Sequence, residues 1–283
     1  MTCSRLRLLI LGFIALSASW NMPAIAAKSF IVAVIPQFAP GDINRDWSPL
    51  LEQLGKMTGH QFQLRLYDNI SRFEADFKNG IPDFVYLNPY HMVQAKRTQA
   101  YLPLVRDGSQ LLRGILVVRS DSPIQQLSDL NQKSVAFPSV TAFGASLYMR
   151  ALLIEKEKIT IHPIYVGNHQ NTYRYVMLRE AAAGGGIYAT LKKEPEQVQA
   201  HLRIIYTTPD APAHPIAAHP RIPAAIRAQI QQALILLGDD PQGQKLLHSI
   251  QMSKPIAADY VRDYAPLEKL RLDRYAETTS GSQ

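Results

Sequence analysis

Three short segments of the chain place hydroxyl, amide and imidazole side chains just before predicted helices. They are residues 87–90 (Leu-Asn-Pro-Tyr), 138–146 (Pro-Ser-Val-Thr-Ala-Phe-Gly-Ala-Ser) and 167–173 (Gly-Asn-His-Gln-Asn-Thr-Tyr). The first turn of a helix carries unpaired N–H groups and the positive end of the helix dipole, which together attract anions. Each segment taken alone is explained by ordinary helix capping. If all three meet in one cleft, they predict a binding site for a small oxyanion.

The elements that would position these segments alternate between strands and helices. Short apolar runs at residues 30–35, 83–87 and 134–137 are each followed by a stretch of helical spacing. This order predicts an α/β protein with mainly parallel sheets. Because ligands of such folds collect at the carboxyl ends of the strands, the three polar segments are expected at that edge.

The chain is expected to form two lobes joined by two crossings, near residues 116–120 and 206–214. Residues 209–223 contain prolines at five positions and therefore predict a connector rather than a central strand. Only helices are expected after this connector, and they must pack back on the first lobe. A hinge of this kind forms a cleft that closes around ligands. The predicted lobes are residues 27–117 with 209–283, and residues 118–208.

Residues 1–26 have the pattern of a secretory signal. Arg5 and Arg7 precede an apolar run, and Ala24-Ile25-Ala26 provides a cleavage site of small residues. The run is shorter than the roughly 20 residues of a membrane-spanning helix, so cleavage near Ala26 is favoured over an uncleaved anchor. Cleavage would also remove Cys3, the single cysteine, which suits an oxidising compartment. We therefore expect a periplasmic protein.

Charge and composition argue against several partners and cofactors. The chain has 30 Lys and Arg against 23 Asp and Glu, but its sequence has no basic block of the kind that binds nucleic acid. The excess instead suits a mild positive field around a cleft for small anions. Gly184-Gly185-Gly186 lacks the spacing of a phosphate loop and predicts a strand with a close backbone approach. His214 and His219 lack the spacing of a helical zinc pair, and we expect neither a metal nor another cofactor.

The sequence resembles the phosphate, phosphite and phosphonate-type substrate-binding proteins of ABC importers. The resemblance lies in the residues and the order of four segments, 83–90, 138–146, 168–174 and 184–186. The resemblance spans residues 28–264 and implies the type II periplasmic-binding-protein fold. In that family, hydroxyls and amides at a helix start, a histidine and tyrosines hold the ligand. The resemblance implies Ser139 and Thr141 for the hydroxyls, His169 for the imidazole and Tyr90 as a tyrosine contact. Asn88 and Tyr173 are further candidates, because they lie in the same polar segments.

Two departures from the family pattern bear on the ligand. Val140, Ala142 and Phe143 interrupt the Ser-Thr-Ser-Gly run that phosphonate-binding members carry, and Gln170 stands in place of an acid. The expected function is that of an exported monomer which delivers a phosphonate-, phosphite- or phosphate-like anion to an ABC permease. One alternative is a sensor that reports the same ligand to a membrane kinase. The other is a hydrolase, which the sequence disfavours because it lacks a G-x-S-x-G motif.

Overall fold

Two separate β-sheets organise residues 28–276, the part of the chain that the computed structural model describes. The predicted signal at residues 1–26 lies outside this part. Within residues 28–276, no helix is both long enough and apolar enough to cross a membrane.

Strands and helices alternate along most of the described chain. The strands are β1 (Ser29–Val34), β2 (Gln61–Arg65), β3 (Phe84–Tyr86), β4 (Leu102–Asp107), β5 (Gly114–Arg119), β6 (Ser134–Phe137), β7 (His162–Tyr165), β8 (Ala183–Ile187), β9 (Leu202–Thr207), β10 (Pro215–Ala218) and β11 (Pro255–Ala257). The helices are α1 (Pro40–Thr58), α2 (Ile70–Lys78), α3 (Pro89–Gln99), α4 (Tyr148–Glu155), α5 (His169–Met177), α6 (Tyr188–Lys192), α7 (Glu196–Ala200), α8 (Ala224–Leu237) and α9 (Pro241–Ser249). A π-helical turn at Phe143–Leu147 leads into α4, and short turns at Tyr260–Tyr264, Ala265–Leu270 and Leu272–Tyr275 follow β11.

Each lobe is one sheet flanked by helices, so the predicted two-lobed α/β fold is confirmed. The first sheet has the order β11-β4-β10-β3-β1-β2, and the second has the order β7-β6-β8-β5-β9. Strands β1, β2 and β3 are parallel, whereas β10 runs antiparallel to both β3 and β4. In the second sheet, β6 is parallel to β7 and β8, and β5 is antiparallel to β8 and β9. The sheets are therefore mixed rather than mainly parallel, because β5 and β10, which follow the crossings, run against their neighbours.

The first crossing lies earlier in the chain than expected. All six residues of β5 pair within the second sheet, so the crossing falls at residues 108–113 and not at 116–120. The lobe boundary expected at residue 117 is wrong for the same reason. Leu111 and Leu112 look like the start of a strand in the sequence, but they belong to the connection. There Leu112 forms an isolated bridge with Ala211 of the second crossing, which occupies residues 208–214.

The proline-rich segment supplies a central strand, contrary to expectation. Strand β10 lies between β3 and β4, with Ile216 opposite Tyr86. Pro215 takes the first position of the strand, where a missing N–H is tolerated, and its carbonyl accepts a hydrogen bond from the Leu87 N–H at 3.3 Å. The expectation that only helices follow is also wrong, because β11 adds an edge strand to the same sheet.

Glycines in β8 allow neighbouring elements to pack directly on the sheet of the second lobe. A Cβ on Gly185 would lie 2.0 Å from the carbonyl oxygen of Ala145, and a Cβ on Gly186 would lie 2.2 Å from the Tyr173 hydroxyl. The expected strand with a close backbone approach is thus confirmed. Because of this close approach, the turn at Phe143–Leu147 packs against β8, and the turn faces the first lobe.

Candidate ligand site between the lobes

A compact cavity between the lobes brings together parts of all three polar segments. We call it the histidine cavity and define it by Gln37 and Asn88 on the first lobe, by His214 at the end of the second crossing, and by the 142–145 turn and His169 on the second lobe. Its volume is about 10 Å³, which is room for about one water molecule. Apolar side chains, among them Ile35 and Phe143, occupy much of the surrounding space.

Asn88 links the strand end of the first lobe to the second lobe. It follows β3 and caps α3, since its Oδ1 accepts a hydrogen bond from the His91 N–H at 2.8 Å. Its Nδ2 donates across the cleft to the carbonyl of Thr141 at 3.1 Å. The side chain is 2% exposed, so both of its hydrogen bonds are made away from bulk solvent. Asn88 is therefore both a cap and a contact between the lobes.

The hydroxyls of Ser139 and Thr141 lie beside the histidine cavity rather than in its wall. Ser139 Oγ accepts a hydrogen bond from the Ala142 N–H at 3.1 Å. Thr141 Oγ1 donates across the cleft to the carboxylate of Glu74, which also contacts Lys78 Nζ at 3.0 Å and His91 Nε2 at 2.9 Å. Burial alone would raise the pKa of Glu74, but the hydrogen bonds from His91 and Thr141 and the charge of Lys78 lower it to about 2. An ionised carboxylate therefore holds the Thr141 hydroxyl.

His169 is the first residue of α5 and faces the histidine cavity. Asn168 caps the helix, and the His169 N–H donates to the Gln37 carbonyl of the first lobe at 3.2 Å. Its ring Nδ1 lies 3.2 Å from Thr190 Oγ1. Because the side chain is buried, its pKa is lowered to about 3, and the imidazole is neutral at pH 7. A neutral imidazole donates one hydrogen bond and accepts another.

Tyr173 acts behind His169 and does not line the cavity. It is fully buried in the second lobe, and its hydroxyl lies 2.8 Å from Thr190 Oγ1. The same hydroxyl donates to the Ile187 carbonyl at 3.3 Å. Tyr173, Thr190 and His169 thus form a chain of buried polar contacts. These contacts orient the His169 imidazole, whereas Tyr173 itself does not line the cavity.

His214 is a second cavity histidine that is not among the predicted ligand residues. It precedes β10, and its ring stacks on Tyr86 with 5.4 Å between centroids. Burial lowers its pKa to about 3, and the nearby His169 and His91 act in the same direction. In the sequence, His214 stands out only as a candidate metal ligand. The signal that would have found it is its place at the end of the second crossing, where the chain re-enters the first sheet.

Tyr90 points away from the histidine cavity. Its hydroxyl donates to Asp273 Oδ1 at 2.9 Å, and it lines a different pocket together with Phe143 and Leu272. Of the six predicted residues, the structure brings Asn88 and His169 into the cavity wall. It places Ser139, Thr141 and Tyr173 beside or behind that wall, and Tyr90 elsewhere.

A larger cavity of about 470 Å³ adjoins the first one on the side of the crossings. We call it the hinge cavity and define it by residues 106–113, by Ile187, Tyr188 and Ala189 at the end of β8, and by Asp210, Ala213 and His214. The two cavities share Leu112, Ile187 and His214 as walls. Within residues 28–276, no group of three or more His, Cys, Asp or Glu side chains is placed to hold a metal ion.

Comparison with known proteins identifies one family and several similar folds. The model of the family described as "ABC transporter, phosphonate, periplasmic substrate-binding protein" matches residues 32–264. A binding-protein component of an ABC phosphonate transporter from Pseudomonas aeruginosa is 14% identical, with a TM-score of 0.79 and 91% of each chain covered. PhnD1 from Prochlorococcus marinus, solved with methylphosphonate, is 15% identical, with a TM-score of 0.77, covering 88% of this chain and 99% of its own. A Xanthomonas citri protein bound to ATP is 15% identical, with a TM-score of 0.70 and the same coverage.

Proposed function

This chain belongs to the periplasmic substrate-binding proteins of ABC phosphonate transporters, and we propose that it captures a phosphorus oxyanion at the histidine cavity. Membership of this family makes it a transport protein that binds a small molecule and works with an ABC permease.

One observation carries the proposal: polar groups from both lobes converge on one cavity. His169 and His214 are buried, neutral imidazoles that can each donate an N–H. The 142–145 turn and the start of α5 add backbone N–H groups from helix first turns. Hydrogen bonds from several converging donors suit the oxygens of a phosphonate better than they suit a cation.

The contacts between the lobes indicate how capture takes place. The Asn88 amide, the Thr141 hydroxyl and the His169 N–H all donate to protein acceptors on the opposite lobe. A cavity of about 10 Å³ does not admit a phosphonate, so the lobes must separate for the ligand to enter and must remain farther apart around it than in this structure. The ligand then favours a closed form by bridging donors of both lobes. We propose that this closed form docks as a monomer on the permease, after export and cleavage near Ala26.

Binding to the purified mature protein tests the proposal. Calorimetric titration with methylphosphonate, phosphite, phosphate, sulfate and an amino acid should give saturable binding of the phosphorus compounds. A hydrogen bond to a charged group contributes about 1.5–3 kcal/mol, so His169→Ala and His214→Ala should each weaken binding by about tenfold or more. His248→Ala, on the exposed surface of α9, is the matched control.

Two outcomes would reject the proposal. The first is the absence of binding by every phosphorus oxyanion, and the second is unchanged affinity in both cavity variants. Release of inorganic phosphate during the titration would instead favour the hydrolase alternative. Undiminished uptake of phosphonate by cells that lack the gene would favour a sensor.

A further inference from the structure

The hinge cavity has the size of a site for an organic molecule. Its volume of about 470 Å³ falls within the roughly 300–1,000 Å³ of small-molecule pockets. It shares Leu112, Ile187 and His214 with the histidine cavity as walls, so a ligand held at the histidines has this space beside it. Methylphosphonate or inorganic phosphate would leave most of that space to solvent. The size therefore points to a ligand with a larger substituent.

Both lobes and both crossings contribute to the wall of the hinge cavity. Tyr86 lines it from the first lobe and Ala213 from the second crossing, and Tyr188 and Ala189 line it from the second lobe. Leu111, in the first crossing, is 55% exposed. Aromatic rings and aliphatic side chains thus form one part of the wall. A substituent that lies among them would be enclosed only when the lobes are together, which couples its burial to closure.

The charged groups of the wall already have partners. Arg113 makes a bidentate pair with Asp210 at 2.7 and 2.9 Å, and Arg106 pairs with Asp263 at 3.1 Å. The Asp107 carboxylate accepts hydrogen bonds from the Ser109 hydroxyl and the Lys254 N–H. A charged substituent would compete with these pairs or lose hydration without compensation. A neutral substituent has neither cost.

We propose that the hinge cavity holds the organic substituent of the transported ligand. It thereby selects phosphonates or phosphate monoesters that carry a neutral organic group larger than methyl. This inference rests on the proposed function, because the oxyanion must be held at the histidine cavity. Leu112, Ile187 and His214, the walls that the two cavities share, would lie beside the junction of the oxyanion and its substituent.

A series of n-alkylphosphonates tests the inference on the mature wild-type protein. Titration calorimetry with methyl-, propyl-, butyl- and hexylphosphonate should show affinity that rises by about fourfold for each buried methylene until the cavity is filled. Methylphosphonate binding without any gain for longer chains would overturn this inference and leave the proposed function intact. No binding by any member, methylphosphonate included, would overturn both.

The charge of the substituent is tested with two compounds of equal length. Propylphosphonate and 2-aminoethylphosphonate differ by a methyl group in place of an ammonium group. Because each charged side chain of the wall is already engaged in an ion pair or, for Asp107, in hydrogen bonds, propylphosphonate should bind more tightly, by about tenfold or more. Equal or tighter binding of the ammonium compound would show that the cavity does not select a neutral group.

A filled cavity tests the location. Ala189→Phe places a ring in the hinge cavity from the short helix α6 and should lower the ratio of butylphosphonate to methylphosphonate affinity towards one. Ala200→Phe makes the same change on the exposed surface of α7 and should keep the wild-type ratio. A wild-type ratio in Ala189→Phe would place the substituent elsewhere, and thermal melts of both variants check their folding.

Discussion

The histidine cavity and the hinge cavity lie side by side between the same two lobes, but their walls differ in kind. The first is enclosed by buried polar groups, such as Asn88 and His169, that each have a second contact within the protein. The second is lined by partly exposed side chains such as Tyr188 and by the ion pair of Arg113 with Asp210. A buried polar group that loses a partner is costly, whereas an exposed pair contributes little.

This difference separates two tasks of a binding protein. In our proposals, the histidine cavity recognises the part that all ligands of a class share, and its buried residues also contribute to the fold. The hinge cavity recognises the part that varies, and exposed residues of its wall, such as Tyr188, can change with little effect on the fold. If that is correct, substitutions at the first cavity affect stability and binding together. Substitutions at the second affect mainly the choice of ligand.

The largest effect is expected from Gly185→Ala, which disturbs the support of the histidine cavity. The new Cβ would lie 2.0 Å from the Ala145 carbonyl oxygen, so the turn that carries Phe143 must move. We expect a loss of about 3 kcal/mol or more in the free energy of unfolding, measured by urea denaturation. Gly41→Ala is the control, because its Cβ meets nothing within 4 Å. A loss below about 1 kcal/mol in Gly185→Ala would mean that the turn adjusts easily.

A smaller effect on the free energy of unfolding is expected from pH, through the two buried histidines of the histidine cavity. The pKa values of His169 and His214 are lowered to about 3 by burial, from 6.5 in the unfolded chain. Between pH 6.5 and pH 3 the unfolded state therefore binds more protons, so their contribution is complete above pH 6.5 and is lost as the pH falls. From pH 8 to pH 5 the expected loss is about 2 kcal/mol per histidine.

Urea denaturation at several pH values measures this loss. The double variant His169→Gln and His214→Gln should show a flatter dependence than the wild type. Exposed His248→Gln should match the wild type. If the double variant keeps the wild-type slope between pH 5 and pH 8, the acid sensitivity belongs to other groups.

Local signals made part of the site predictable. Asn88 and Asn168 each precede a helix, and each side chain accepts a hydrogen bond from the backbone N–H three residues later. This is the common geometry of a helix cap, and it depends only on neighbouring residues. The close packing on β8 was also predictable, because its three adjacent glycines have no side chains that could keep the 143–147 turn away from the strand. The predicted lobes and their order followed from the same alternation of strands and helices.

The features that the sequence did not predict depend on contacts between residues that lie far apart in the chain. Strand β10 is only four residues long and lies among prolines, so its central place depends on β3 and β4 rather than on its own composition. His214 enters the site through that placement. Tyr90 follows a recognisable cap, yet its side chain is drawn to Asp273, a residue far away in the chain. The Tyr90 contact has no local sequence signal, and the signal for His214 is its place at the end of the second crossing rather than its neighbours.

A change in affinity is expected from Glu74→Gln. The Glu74 carboxylate does not line the histidine cavity but holds the hydroxyl of Thr141 beside it, so its negative charge would repel an anion bound there. Removal of that charge should strengthen methylphosphonate binding by about threefold to tenfold, measured by calorimetry. Glu52→Gln, on the exposed surface of α1, is the control. Weaker binding in Glu74→Gln would indicate that the carboxylate orients the donors of the site instead of competing for them.

The smallest effect is expected at the rim of the hinge cavity, from Arg113→Gln. Arg113 and Asp210 connect the two crossings, but their side chains are 51% and 36% exposed, and solvent screens their attraction. We expect the melting temperature to change by less than about 2 °C, and the change to vanish in 0.5 M salt, measured by differential scanning calorimetry. A decrease of many degrees that persists in salt would mean that this pair holds the hinge together. The hinge cavity would then resemble the histidine cavity in serving the fold as well as the ligand.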